Sequence, residues 1–224
     1  MNSINVILTV IMFTLFAVAG LLVKFPDKGD DLMVQLAKGQ LFSEEGIYAG
    51  NVENIEGTLE QRIPDGGGWK NVAVGERIIS GMEIRTLADS KAIIKFDDGS
   101  ILKMTEVSQI IFENKLYQIN IEVINGFVYN EVVFFASRKY NVKTGDYKME
   151  STEGIFTINK DFQEDPEVLI LEGRIDLFLL EEKKNEFAKD RKLFLRSDSI
   201  EELDFSKNEL QSEEMIWSFD KREK

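Results

Sequence analysis

From Ile47 to Leu180 the chain is written in runs of four to eight residues rich in Ile, Val, Phe and Tyr, cut at short intervals by Gly, Asn and Asp. Runs of that length are poor helices, because an isolated helix needs about 12–15 residues to be even marginally stable. They suit strands, whose common length is about 5–6 residues. The pattern predicts an all-β body with strands at 49–56, 58–62, 76–79, 83–86, 92–96, 101–104, 108–113, 116–123, 126–131, 139–144, 147–151, 155–159, 167–172 and 174–179. Asp97-Asp98-Gly99-Ser100, Glu113-Asn114-Lys115, Asn125-Gly126, Thr144-Gly145-Asp146 and Glu172-Gly173 read as the turns between them, since Gly and Asn tolerate positive φ. Many short antiparallel strands on tight turns suggest either a compact sandwich or a β-solenoid-like stack. The recurrence of strand, glycine and strand about every 25 residues favours stacking, although no exact repeat is visible.

Composition narrows the chemistry. The 224 residues carry a net charge of −13 and no basic stripe, so a general attraction to nucleic acid is excluded. There is no Cys and no His, which removes disulfides, thiolate zinc sites and every mechanism that needs an imidazole or a thiol. No cofactor, metal site or catalytic constellation is expected. Asp97-Asp98-Gly99-Ser100 opens like a calcium loop but lacks the alternating oxygen ligands and the later bidentate Glu. Gly66-Gly67-Gly68 is followed by neither a Lys-Ser/Thr pair nor a helix, so Pro64–Trp69 reads as a loop tip and not a phosphate cradle. Asp161 with Glu164 and Asp165, or Glu181-Glu182, read as solvated loop charge, and no Ser-x-x-Lys or Gly-x-Ser-x-Gly is present.

Ile4 to Val23 is a run of about 20 uncharged residues, long enough as a helix to cross a hydrocarbon core of about 30 Å. Residues 1–24 are therefore expected to anchor the chain in membrane lipid. A cleaved signal peptide is the competing reading, because Ala17-Val18-Ala19 resembles a small-x-small cleavage site, yet no Lys or Arg precedes the run. Residues 25–46 read as a polar linker with a brief helix over 31–42, and residues 47–180 as the β domain. Residues 181–224 form a charged extension with one more strand at 191–196 and a helix start at Ser199 and Glu202. Leu210, Met215, Ile216, Trp217 and Phe219 give its end, a short helix or strand, an apolar side expected to pack on the β domain, a partner-binding peptide being the alternative.

The stretch Gly75-Glu76-Arg77-Ile78-Ile79-Ser80-Gly81-Met82-Glu83-Ile84-Arg85-Thr86, followed by Ala92-Ile93-Ile94-Lys95-Phe96-Asp97-Asp98-Gly99-Ser100, resembles the FecR domain. That family carries Gly-x-x-Ile/Leu-x-x-Gly-Asp-x-Ile-Arg-Thr and then a strand ending in Asp-Gly-Ser. Gly75, Gly81, Ile84, Arg85 and Thr86 fall on the first half, and Phe96, Asp98, Gly99 and Ser100 on the second. Met82 stands where relatives have aspartate. Weaker matches follow at Gly126, at Tyr140, Val142 and Thr144 in an aromatic-x-Val-x-Thr segment, at Phe156, where Glu153-Gly154 replaces the usual Gly-Thr, and at Gly173. The resemblance spans about Gly57 to Leu180 and implies an elongated, twisted all-β unit, which favours the stack over the sandwich.

It implies a non-enzymatic, single-pass protein of the inner membrane whose C-terminal domain lies outside the cytoplasm and contacts an envelope protein partner, possible roles being envelope signalling or scaffolding. Lys24 and Lys28 slightly favour the opposite orientation by charge, so the placement rests on the resemblance. Only Met1, Asn2 and Ser3 precede the apolar run, leaving no cytoplasmic anti-sigma domain, and sensing is expected to act through a second membrane protein. The alternatives are a glycan-binding or glycan-acting envelope protein and a structural spacer. An acidic, aromatic-lined cleft would mark the glycan reading, and a flat β surface the protein-contact reading. Arg85 is expected to pair internally with Asp97 or Asp98.

Overall fold

The computed structural model describes residues 49–205 except 64–66, 116, 136–137, 162–163 and 198. The chain divides into two compact units, Met1–Gly46 and Ile47–Lys224, and every described strand belongs to the second. The expected anchor at Ile4–Val23, the brief helix at 31–42 and the apolar end at 210–219 lie outside the described residues. Among the described residues no helix is long and apolar enough to cross a membrane.

Sixteen strands are present among the described residues. They are β1 (Gly50–Glu56), β2 (Leu59–Arg62), β3 (Lys70–Asn71), β4 (Arg77–Ile78), β5 (Met82–Thr86), β6 (Lys91–Phe96), β7 (Ile101–Met104) and β8 (Gln109–Lys115). β9 (Gln118–Val132), β10 (Lys139–Thr144), β11 (Tyr147–Ser151), β12 (Gly154–Lys160), β13 (Glu167–Leu179), β14 (Glu182–Ala188), β15 (Arg191–Leu195) and β16 (Ile200–Asp204) complete the set. The all-β prediction holds, and the strands form two layers. Sheet A runs β4-β1-β6-β7-β9-β12-β13-β15-β16. Sheet B runs β3-β2-β5-β8-β9-β10-β11-β13-β14. The ladders are antiparallel apart from β9 with β10, which is parallel and corrects the expectation of antiparallel strands throughout.

Two strands belong to both layers. The first half of β9 pairs with β8 and β10 in sheet B, and its second half pairs with β7 and β12 in sheet A. The change of layer falls at Gly126, with φ at +93°. β13 does the same at Gly173, with φ at +77°, passing from sheet A to sheet B. A Cβ on Gly126 would lie 2.3–2.6 Å from atoms of Ser108, and one on Gly173 2.4 Å from the Glu153 carbonyl oxygen, so only glycine fits these corners. Asn125-Gly126 and Glu172-Gly173 are therefore corners inside continuous strands. The expected pairs 116–123 with 126–131 and 167–172 with 174–179 are each one strand.

The two sheets enclose one continuous core. Val52, Ile94, Leu102, Val128, Ile170 and Leu193 from sheet A meet Leu59, Ile84, Ile110, Ile121, Val142 and Leu177 from sheet B, all at 1% exposure or less. An aromatic chain crosses between them: Phe96 stacks on Phe112 at 5.2 Å, Phe96 meets Tyr140 edge-on at 6.2 Å, and Tyr140 meets Phe156 edge-on at 6.5 Å. Each such pair contributes about 0.5–1.5 kcal/mol beyond its buried area.

The sandwich does not stop at residue 180. β13 pairs with β14 in sheet B and with β15 in sheet A, and β15 pairs with β16, so the expected charged extension supplies three strands where one was predicted. Glu202 lies within β16, and the helix start read at Ser199 and Glu202 is a strand. Its local capping signal yields to pairing with a β15 whose Leu193 and Leu195 are buried in the core.

Candidate functional site

The residues that carry the sequence resemblance converge on internal tasks. Gly75 and Gly81 both hold φ at +85° in open turns, with their N–H groups donating to the carbonyls of Val52 and Phe112 at 2.8 and 2.7 Å. Ile84, Phe96, Tyr140, Val142 and Phe156 are core side chains. Thr86 is buried, and its hydroxyl donates to the Thr105 carbonyl and accepts from the Ser108 N–H at 3.0 Å, which pins the passage from β7 to β8. Thr144 is fully buried, and its hydroxyl has no hydrogen-bond partner among the described residues. Gly126 and Gly173 are the corners described above.

The Asp98-Gly99-Ser100 turn is the centre of a buried polar network. The Asp98 carboxylate accepts from the Ser100 N–H at 2.9 Å and from its hydroxyl at 3.1 Å, while Gly99, with φ at +89°, donates to the Phe96 carbonyl at 2.9 Å. Asp98 Oδ2 also lies 2.7 Å from Arg138 Nε, and both side chains are 0% exposed. Arg138 Nη2 donates to the Val133 carbonyl, whereas Nη1 is buried without a hydrogen-bond partner. Ser100 accepts from the Val133 N–H at 3.1 Å. The turn between β6 and β7 is thereby tied to the segment between β9 and β10. Beside it the Tyr140 hydroxyl donates to Asn130 Oδ1 at 3.0 Å.

Burial sets the electrostatics of this network. Desolvation raises the Asp98 carboxyl above the ordinary carboxylate range, against the opposing pull of Arg138 and the Ser100 hydrogen bonds. Burial, and then the nearby Asp98 charge, push the Tyr140 hydroxyl well above its usual range, so it stays a proton donor to Asn130. Arg138 was missed in the sequence. Arg138 is followed directly by Lys139, and no local signal told which of the two cations would be buried.

Arg85 pairs internally, but with neither Asp97 nor Asp98. Its Nη2 lies 2.6 Å from Glu60 Oε2 on β2, the strand directly beside β5, and Asp97 instead accepts from Arg77 at 3.0 Å. Arg85 and Arg62 also lie over the Trp69 ring, at 3.9 and 4.5 Å from its centroid, and Arg62 reaches Glu83 at 2.5 Å. The indole and two neutralised guanidiniums make an ordered plate on the outer side of sheet B. Farther along the same side, Glu113, Glu122 and Glu181 alternate with Lys115, Lys143 and Lys148 around the hydrogen-bonded Asn120 and Asn141. No aromatic side chain lines that shallow groove. It is a mosaic of paired charges, with Lys148 3.1 Å from Glu150 and 3.2 Å from Glu181.

Residues 82–176 match the family model described as FecR protein. No curated protein matches the chain. Two crystal structures described as a candidate anti-sigma factor from Parabacteroides distasonis ATCC 8503 resemble it with TM-scores of 0.49, at 11% and 10% identity. Each alignment covers 55% of this chain and 60% of the other, so the chain spans less than two thirds of those proteins.

Proposed function

Since residues 82–176 carry a FecR domain, we propose that the chain is a non-enzymatic binding or scaffold module, held at the membrane by Ile4–Val23, with its β-sandwich outside the cytoplasm and an envelope protein as its partner. The observation that carries this reading is the family match itself. The geometry supports contact over catalysis. The polar members of the motif are spent inside the fold: Thr86 and Asp98 are buried, and Arg85 is paired to Glu60. What remains for recognition is the outer side of sheet B, patterned with paired charge. The acidic, aromatic-lined cleft that would favour action on glycans has no counterpart in the groove around Asn120 and Asn141.

Cross-linking in intact cells, followed by identification of what is captured, tests the partner, and protease added to intact and to permeabilised cells tests the side of the membrane. One reproducible membrane or envelope protein cross-linked through residues on the outer side of sheet B supports the reading. Cleavage of residues 57–180 only after the inner membrane is permeabilised overturns it, as does recovery of the uncleaved chain in the soluble cytosolic fraction.

A further inference from the structure

Sheet A carries a second apolar cluster on the side facing away from the core. Asn130 and Phe156 point inward to Tyr140 of sheet B, so their neighbours Tyr129, Ile155 and Thr157 point outward. By the same alternation Leu169 and Leu171 of β13 face outward, because Val168 and Ile170 lie in the core. Phe127, Tyr129, Ile155, Leu169 and Leu171 form this outer cluster, and Phe205, the residue after β16, is part of it. Cross-strand register sets Lys103, Tyr129, Thr157, Leu169 and Lys192 in one row across five strands.

These side chains are not exposed as an open sheet side would leave them. Tyr129, Leu169, Leu171 and Thr157 are each 1% exposed, and Lys103, whose ammonium lies 4.7 Å from the Tyr129 ring centroid, is 4% exposed. A lysine is rarely withdrawn so far unless it is paired, and apolar side chains on the outer side of a sheet are withdrawn so far only when something is laid over them. The chain itself supplies the material. Phe205 enters the cluster with its N–H donating to the Asp190 carbonyl at 2.9 Å, and the chain has 19 further residues, 206–224, beyond that point. They carry Leu210, Met215, Ile216, Trp217 and Phe219, a composition that answers an apolar patch.

We propose that residues 206–224 dock across the outer side of sheet A, seating their apolar side chains on Tyr129, Ile155, Leu169 and Leu171. Sheet A is then closed by the chain's own C-terminal segment, and sheet B is the side left open for other molecules. The proposal does not depend on the partner or on the side of the membrane.

The test uses the full chain in mild detergent with Trp217→p-benzoylphenylalanine. Irradiation and peptide mapping are expected to give intramolecular cross-links to strands β9, β12 and β13 at the outward residues. Cross-links to sheet B, to residues 1–46 or to a second copy of the chain overturn the proposal, as does the absence of any intramolecular product. A second measurement covers loss of fold in that variant. In Trp69→Phe, Trp217 is the remaining tryptophan, and acrylamide is expected to quench it several-fold more weakly than it quenches a peptide of residues 206–224. Equal quenching in the two overturns the proposal.

Discussion

Removing one partner of the Asp98–Arg138 pair is expected to be asymmetric. Asp98→Asn leaves a guanidinium at 0% side-chain exposure with the Val133 carbonyl as an acceptor and no counter-charge at Asp98. Arginine cannot shed its proton, so the uncompensated charge costs about 3–5 kcal/mol. In a unit of this size that corresponds to a fall in Tm of roughly 6–20 °C. Arg138→Met leaves Asp98, which can take up a proton, and the loss is smaller at low pH. The sign follows from the direction of the shift. A carboxyl whose folded pKa is raised contributes stability that is fully present below its unfolded value and is lost as pH rises through the folded value. Arg138→Met removes the attraction that holds the Asp98 carboxyl down, so the window extends upward and the variant weakens from mildly acidic toward neutral pH. The double variant Asp98→Asn with Arg138→Met buries no charge at either position and is expected to lose less than Asp98→Asn alone. Urea unfolding of the full chain in detergent, followed at two pH values, reads all four proteins. An Asp98→Asn loss under about 1 kcal/mol, the range of an exposed pair, or strictly additive losses in the double variant, would refute the assignment of a desolvated pair.

A turn glycine and a corner glycine give a graded comparison by the same unfolding measurement. Gly75→Ala meets no atom within 4 Å and costs only the positive φ, about 1–2 kcal/mol, whereas Gly126→Ala also drives a Cβ to within 2.6 Å of Ser108 and is expected to cost roughly 3 kcal/mol or more. Val107, a β-branched residue at φ of +53° and half exposed, is strained, and Val107→Asn is expected to stabilise by about 0.5–1 kcal/mol. Arg85→Ala removes both the Glu60 contact and the stacking on Trp69 and is expected to cost about 1–2 kcal/mol. A thermal midpoint unchanged by Arg85→Ala would mean that this residue serves a partner and not the sheet.

Local chemistry made some of this fold legible and hid the rest for identifiable reasons. Gly126 and Gly173 could be read as positions needing positive φ, but a hairpin turn and a corner ask the same of the residue. Which one forms is decided by β7 and β12 pairing with the second half of β9, contacts far away in sequence. Asp98 was visible as part of a turn and Arg138 was not visible as its partner, because nothing local to either residue specifies the other. β14 was passed over because its burial pattern is almost wholly exposed and its residues read as solvated charge. That is also how an edge strand of sheet B avoids recruiting a neighbour. Ser199 and Glu202 carried a sound capping signal, overridden where β16 completes sheet A.

The division of labour among these residues bears on where specificity resides. The segment from Gly75 to Ser100 supplies turns, core side chains and the acidic half of a buried ion pair. A partner approaching from solvent meets none of Asp98, Ser100, Thr86 or Tyr140, which are all nearly or fully buried. It meets Trp69 between its two arginines, the Lys143, Lys148 and Glu181 mosaic, and the charged edge of β14. Substitutions in the first group are expected to change stability and leave recognition intact per folded molecule. Charge reversals in the second, such as Lys143→Glu, are expected to leave the thermal midpoint within about 0.5 kcal/mol of stability and to abolish partner cross-linking. If the charge reversals leave cross-linking untouched while Asp98→Asn abolishes it in protein that is still folded, the partner reads the motif itself and recognition does not lie on sheet B.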